Sequence, residues 1–147
     1  MIEKEIYDDL RELFVLMASN KQDFLRPYQL TIEQYDTLLI LQRDSGWRMG
    51  DLTKKILSDN SKMTRIIDYL QKSGWAERKA HPEDRRAQLV FLTESGEILR
   101  DDIKIGHDNM LQSWLSPFTA TQKSEMQILL QQFRNHMREQ STKNSAF

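Results

Sequence analysis

Residues 81–93 read HPEDRRAQLVFLT. Five of the first six side chains are charged or ionisable; an apolar run and a threonine follow. Taken with the preceding WAERKAHP (residues 75–82), the segment has the alternating, β-branched and aromatic positions of two short strands. The turn HPEDRR closes them into a hairpin. Everything on either side of this hairpin is helical in pattern, so its neighbours decide what it is for.

Immediately upstream lies DNSKMTRIIDYLQKSG, residues 59–74. Asp59 or Asn60 can cap a helix here, and Gly74 stands where helices end. Met63, Ile66, Ile67 and Leu70 form its inward stripe, which leaves Ser61, Lys62, Thr64, Arg65 and Asp68 outward. Hydroxyls, a lysine and an arginine are the groups that bond phosphates and base edges in a major groove. A shorter helix fits GDLTKKILS (residues 50–58), with Leu52, Ile56 and Leu57 on its inner side. Before it, LTIEQYDTLLILQ (residues 30–42) starts with Thr31 and Gln34 at capping-box spacing. Leu38, Leu39 and Leu41 face inward there, with Gly46 just past the end.

The flanks are longer helices. Ile2, Ile6, Leu10, Leu13, Phe14 and Met17 recur at three- and four-residue steps until Pro27. Thr93 can cap a helix running to about Leu115, with Leu99, Ile103, Met110, Leu111 and Trp114 along one side. After Pro117, Thr119 and Gln122 repeat the capping-box spacing, and Met126, Leu129, Leu130, Phe133 and Met137 form the last stripe. The final STKNSAF is expected to fray. Four helices, a hairpin and two helices predict a mainly α fold with a small β-hairpin wing (α+β), a winged helix-turn-helix.

Composition narrows the function. The 147 residues suffice for one domain with a core. There is no cysteine, so disulfides, thiolate catalysis and cysteine-based redox sensing are excluded. The histidines, His81, His107 and His136, fit no metal-ligand spacing and are expected at the surface or partly buried. No phosphate-binding glycine loop or nucleophile elbow occurs. No enzyme, metal or cofactor is therefore expected. No apolar run reaches the roughly 20 residues of a membrane span, and MIEKEIYDDLREL lacks the pattern of a signal peptide. A cytoplasmic protein without membrane contact is expected. The net charge of −1 conceals an asymmetry: residues 60–88 hold seven Lys or Arg against four Asp or Glu, and both flanks are net acidic. A basic centre of this kind suits a polyanion.

The central residues resemble the MarR family of bacterial transcription regulators. The matching elements are LTIEQY near residue 30, DLTKKI near 51, SKMTRIIDYLQKSGWAER at 61–78 and HPEDRRAQLVFLTESG at 81–96. The resemblance covers residues 30–96 and implies a DNA-binding lobe there. Residues 1–28 and 97–140 would be dimerisation helices within one domain of 1–147. It implies that Ser61, Lys62, Thr64 and Arg65 read double-stranded DNA, with Arg65 alternatively paired to Asp68 or to the wing. The hairpin would be the wing, with Arg86 inserted in the minor groove, where a narrow groove concentrates negative potential. Asp84 would hold Arg86 through a carboxylate–guanidinium pair, and Arg85 would contact phosphate or brace the turn. Lys54 and Lys55 either contact phosphate or are simply exposed.

The same resemblance implies a homodimer on a palindromic operator, with half-sites about 10 to 10.5 base pairs apart. It also implies a small aromatic or phenolic effector near Phe14, Met17, Phe24, Tyr28, Tyr35 and Trp47, residue types that are more often core. The competing reading is a winged-helix protein-interaction module without DNA binding, because fold does not fix function.

Overall fold

The computed structural model describes residues 1–144. In chain order its elements are α1 (Ile2–Leu25), a 3₁₀ turn (Arg26–Tyr28), α2 (Ile32–Ile40), β1 (Trp47–Arg48), α3 (Met49–Ile56), α4 (Asn60–Lys72), β2 (Ala76–Ala80), β3 (Gln88–Leu92), α5 (Glu94–Trp114) and α6 (Ala120–Asn144). The chain packs as two compact units, and the division falls inside α5 after Ile105. The residues expected to fray are helical as far as Asn144; the rest of that segment lies outside the described residues. Among the described residues no helix is long and apolar enough to cross a membrane.

The first unit is built on its caps. Thr31 and Gln34 form the expected reciprocal box: the Gln34 N–H donates to Thr31 Oγ1 at 3.2 Å and the Thr31 N–H to Gln34 Oε1 at 2.9 Å. Asp59, not Asn60, caps α4, its carboxylate accepting the Lys62 N–H at 2.8 Å. Gly74, at φ +80°, lets the chain turn out of α4 as Trp75 N–H closes on the Leu70 carbonyl at 2.9 Å. Leu38, Leu41, Leu52, Met63, Ile67, Leu70, Val90 and Ile103 are wholly buried in one cluster joining α2, α3, α4, β3 and α5. Each such side chain contributes roughly 1.5 to 3 kcal/mol through removal from water.

The sheet has three strands in the order β1-β3-β2, all antiparallel, where the sequence predicts two. β1 was missed because two residues cannot show an alternation. Trp47 and Arg48 pair with Val90 and Leu89, and Trp47 Nε1–H donates to the Ile40 carbonyl at 3.1 Å. Two other expectations change. Gly46 does not terminate α2, which ends at Ile40. Its role is space: a Cβ there would sit 2.6 Å from Leu89 Cβ and 2.7 Å from the Phe91 ring. Leu57 is not on the inner side of α3. It caps that helix in the left-handed region, φ 56°, with its side chain 93% exposed.

A tight joint links α4, β2 and α5. The Thr93 N–H donates to the Trp75 carbonyl at 3.1 Å, and Thr93 Oγ1 donates to the Gly74 carbonyl at 2.6 Å. The same hydroxyl accepts the Gly96 N–H at 3.0 Å, so Thr93 caps α5 as expected. A Cβ at Gly96 would overlap the Trp75 carbonyl oxygen. Arg78, on β2, adds a bond to Gln71 and an ion pair to Asp68, each at 2.6 Å.

The second unit carries α6, capped by the second expected box between Thr119 and Gln122. Its stripe is uncovered: Leu129 is 65% exposed, and Leu130, Phe133 and Met137 are about half exposed. In the first unit Ile6, Leu13, Phe14 and Met17 of α1 are likewise exposed.

Candidate nucleic-acid interface

The helix-turn-helix consists of α3, the three residues Leu57–Asp59 and α4. Because Met63, Ile66, Ile67 and Leu70 of α4 are drawn into the core, Ser61, Lys62, Thr64 and Arg65 emerge together on its exposed side. They are not equally free. Thr64 Oγ1 donates back to the Asn60 carbonyl at 2.9 Å, leaving its lone pairs outward. The Lys62 ammonium is held 2.6 Å from Glu33 Oε1 at the start of α2. The hydrogen bond and charge of Glu33, with a smaller contribution from Asp59, raise the Lys62 pKa above its ordinary value. Arg65 does not take Asp68, whose carboxylate belongs to Arg78. Its guanidinium has no carboxylate partner among the described residues. Lys54 and Lys55 close α3, both exposed, where cations also complement the helix dipole.

The turn between β2 and β3 is ordered by its own side chains. His81 Nδ1 accepts the N–H groups of Glu83 at 3.1 Å and Asp84 at 3.2 Å. Asp84 Oδ1 accepts the main-chain N–H of Arg86 at 3.1 Å, and its Oδ2 lies 3.8 Å from the Arg48 guanidinium. The expected Asp84–Arg86 guanidinium pair is therefore replaced. A carboxylate two residues back reaches the amide of the tight turn more readily than the end of a long side chain pointing away. Arg85 and Arg86 are exposed and, among the described residues, have no carboxylate partner.

Four residues of this site escaped the sequence: Glu33, Arg48, Arg78 and His81. Each acts across elements or through main chain, and spacing reveals neither. His81 stands ahead of Pro-Glu-Asp, which is the one local hint of a side-chain acceptor for a turn. His107, expected at the surface or partly buried, is almost wholly buried, at 8% exposure. Among the described residues no three His, Asp or Glu side chains are placed to hold a metal ion.

This geometry has relatives. The MarR family model matches residues 30–87. The chain is 31% identical over 124 residues to the multiple antibiotic resistance protein MarR of Salmonella typhimurium, covering 79% of this chain and 85% of that one. The chain belongs to the MarR family. Two further relatives, the HTH-type transcriptional regulator PecS of Dickeya dadantii and the transcriptional repressor MprA of Escherichia coli, are 26% and 29% identical over 113 and 114 residues. Those matches cover 75% and 76% of this chain, and only 68% and 64% of the relatives' own lengths. Among solved MarR-type structures, Streptococcus pneumoniae FabT in complex with DNA superposes with a TM-score of 0.80 at 17% identity, covering 93% of this chain and 98% of that one. At that identity the likeness is one of fold, and it places the three-stranded sheet of this MarR family member as the wing of a winged helix.

Proposed function

We propose that this MarR family member is a cytoplasmic, sequence-specific DNA-binding regulator, a repressor acting as a homodimer on a palindromic operator. One observation carries the reading. Arg65 on α4 and Arg85 and Arg86 on the wing are exposed on the two elements of a winged helix that enter grooves, and among the described residues none is neutralised by a carboxylate. Free cations at such positions displace condensed counterions from the DNA when they meet phosphate. Ser61, Lys62 and Thr64 supply base-edge and backbone contacts beside Arg65; Lys54 and Lys55 supply phosphate contacts. FabT in complex with DNA and MprA as a transcriptional repressor support the same reading by relationship.

The homodimer is supported by the uncovered apolar stripes of α1 and α6, which a second copy would remove from water. On this reading, as the family resemblance implies, residues 30–96 form the DNA-binding lobe and residues 1–28 and 97–140 the dimerisation helices. A small aromatic or phenolic effector rests on the family resemblance alone. Of the side chains named for it, Tyr35 is buried and Phe24, Tyr28 and Trp47 pack on the core, leaving Phe14 and Met17 exposed.

The deciding experiment is selection from a random-sequence duplex pool, followed by fluorescence anisotropy on the enriched duplex at two salt concentrations. An enriched palindrome bound with a steep salt dependence is expected. Retention of no sequence above background would transfer the molecule to the class of protein-interaction modules.

A further inference from the structure

Lys62 is the exception on the recognition face. Lys54, Lys55, Arg65, Arg85 and Arg86 carry no carboxylate partner among the described residues, whereas Lys62 spans from α4 to Glu33 of α2 at 2.6 Å. Both partners remain partly exposed, the side chains at 52% and 38%. The position of Glu33 is fixed by its own helix, because it lies inside the capping box of Thr31 and Gln34. That of Lys62 is fixed by Asp59, which caps α4 through the Lys62 main-chain N–H. The pair is thus anchored at both ends by the first turns of two packed helices.

A cation already neutralised by a carboxylate gains little from a phosphate. To reach the DNA backbone it must abandon the carboxylate, and one anion is then exchanged for another with almost no counterion released. An ammonium has three donors, however, and one carboxylate oxygen occupies one of them. The remaining donors are free for the acceptors of a guanine edge, which need hydrogen bonds rather than net charge. The Glu33 carboxylate also repels phosphate wherever the backbone approaches.

We propose that Glu33 is a specificity-determining residue that holds Lys62 for base-edge contact and withholds it from the phosphate backbone. It thereby weakens binding to arbitrary duplexes more than binding to the operator. This rests on the DNA-binding reading above and adds to it a device that suppresses indiscriminate affinity.

The test compares the full chain with Glu33→Gln, Lys62→Ala and the double variant, on the duplex recovered by selection and on a random-sequence duplex of equal length. Thermal midpoints are checked first; an exposed pair contributes too little for its loss to unfold the protein. With Glu33→Gln, affinity for the random duplex is expected to rise about threefold in low salt, and its log affinity–log salt slope to steepen by about 0.9, one further phosphate contact. Affinity for the selected duplex should move less, so the ratio of the two falls. In the Lys62→Ala background the Glu33 substitution should do nothing more. An unchanged ratio, an equal rise on both duplexes, or an effect that persists without Lys62 would overturn the inference while leaving DNA binding intact. A wild-type protein that retains no duplex would overturn the functional reading and this inference together.

Discussion

Asp84 binds Arg86 by the main chain and Arg48 by charge: one carboxylate oxygen accepts the Arg86 N–H at 3.1 Å and the other lies 3.8 Å from the Arg48 guanidinium. If the turn faces DNA as proposed, its acid repels phosphate, so its presence has to be justified by ordering. The two effects predict opposite signs and can be separated. Asp84→Asn keeps an oxygen for the Arg86 amide and removes the charge, and should leave duplex affinity equal or higher. Asp84→Ala loses the acceptor as well and should bind about two- to thirteenfold more weakly than Asp84→Asn, the worth of one hydrogen bond of about 0.5 to 1.5 kcal/mol. Anisotropy titration of both variants gives the answer.

Arg86→Ala and Arg65→Ala should each flatten the log affinity–log salt slope by about 0.9 if its guanidinium meets phosphate. A guanidinium placed against base edges instead leaves the slope nearly unchanged and costs about 1 to 3 kcal/mol of sequence discrimination. Salt titrations on matched and mismatched duplexes assign each arginine to one class. Neither substitution should shift the thermal midpoint, because both side chains are exposed.

Leu57 holds φ 56° with almost no burial to compensate. A left-handed conformation costs an L-residue about 1 to 2 kcal/mol, and glycine adopts it without that cost but with more freedom to lose on folding. Leu57→Gly should therefore raise stability by up to about 1 kcal/mol, read as a higher midpoint in urea. A fall would mean that the exposed leucine is covered in the folded protein in solution.

Gly46→Ala should do the reverse. The new methyl meets Leu89 and the Phe91 ring at under 3 Å. Overpacking of this kind costs about 1 to 3 kcal/mol, and here the strain lands on β3, so the wing should loosen as the thermal midpoint falls.

Charge placed on the α6 stripe tests the dimer. Leu129→Glu with Phe133→Glu should convert a two-chain mass to a one-chain mass by light scattering and weaken binding to the selected duplex. The side chains are exposed in the isolated chain, so loss of folding is not the expected route.

What could be read in advance follows the range over which each signal acts. The boxes at Thr31 and Thr119, the cap at Thr93 and the turn at Gly74 are local, and the sequence states them within four residues. The inward stripe of α4 was equally plain, and its complement named the outward face. Leu57 was misplaced because an apolar residue at helical spacing looks inward whether or not the helix has already ended. Gly46 looked like a helix stop, since glycine for space and glycine for conformation are the same letter. The Glu33–Lys62 and Arg48–Asp84 pairs lie 29 and 36 residues apart in sequence. No pattern in one chain announces a meeting at that distance.

The joint at Thr93 and Gly96 has a mechanical meaning. Residue 93 is bonded to the carbonyls of Gly74 and Trp75, just past α4, and position 96 has no room for a methyl against the second of them. The first turn of α5 therefore cannot pivot without dragging the end of α4 and the root of the wing. Torque applied to the first turn of α5 is passed through these bonds to the end of α4 and the start of β2. Thr93→Gly, which removes the hydroxyl shared by the Gly74 carbonyl and the Gly96 N–H, would loosen that coupling and take the α5 cap with it.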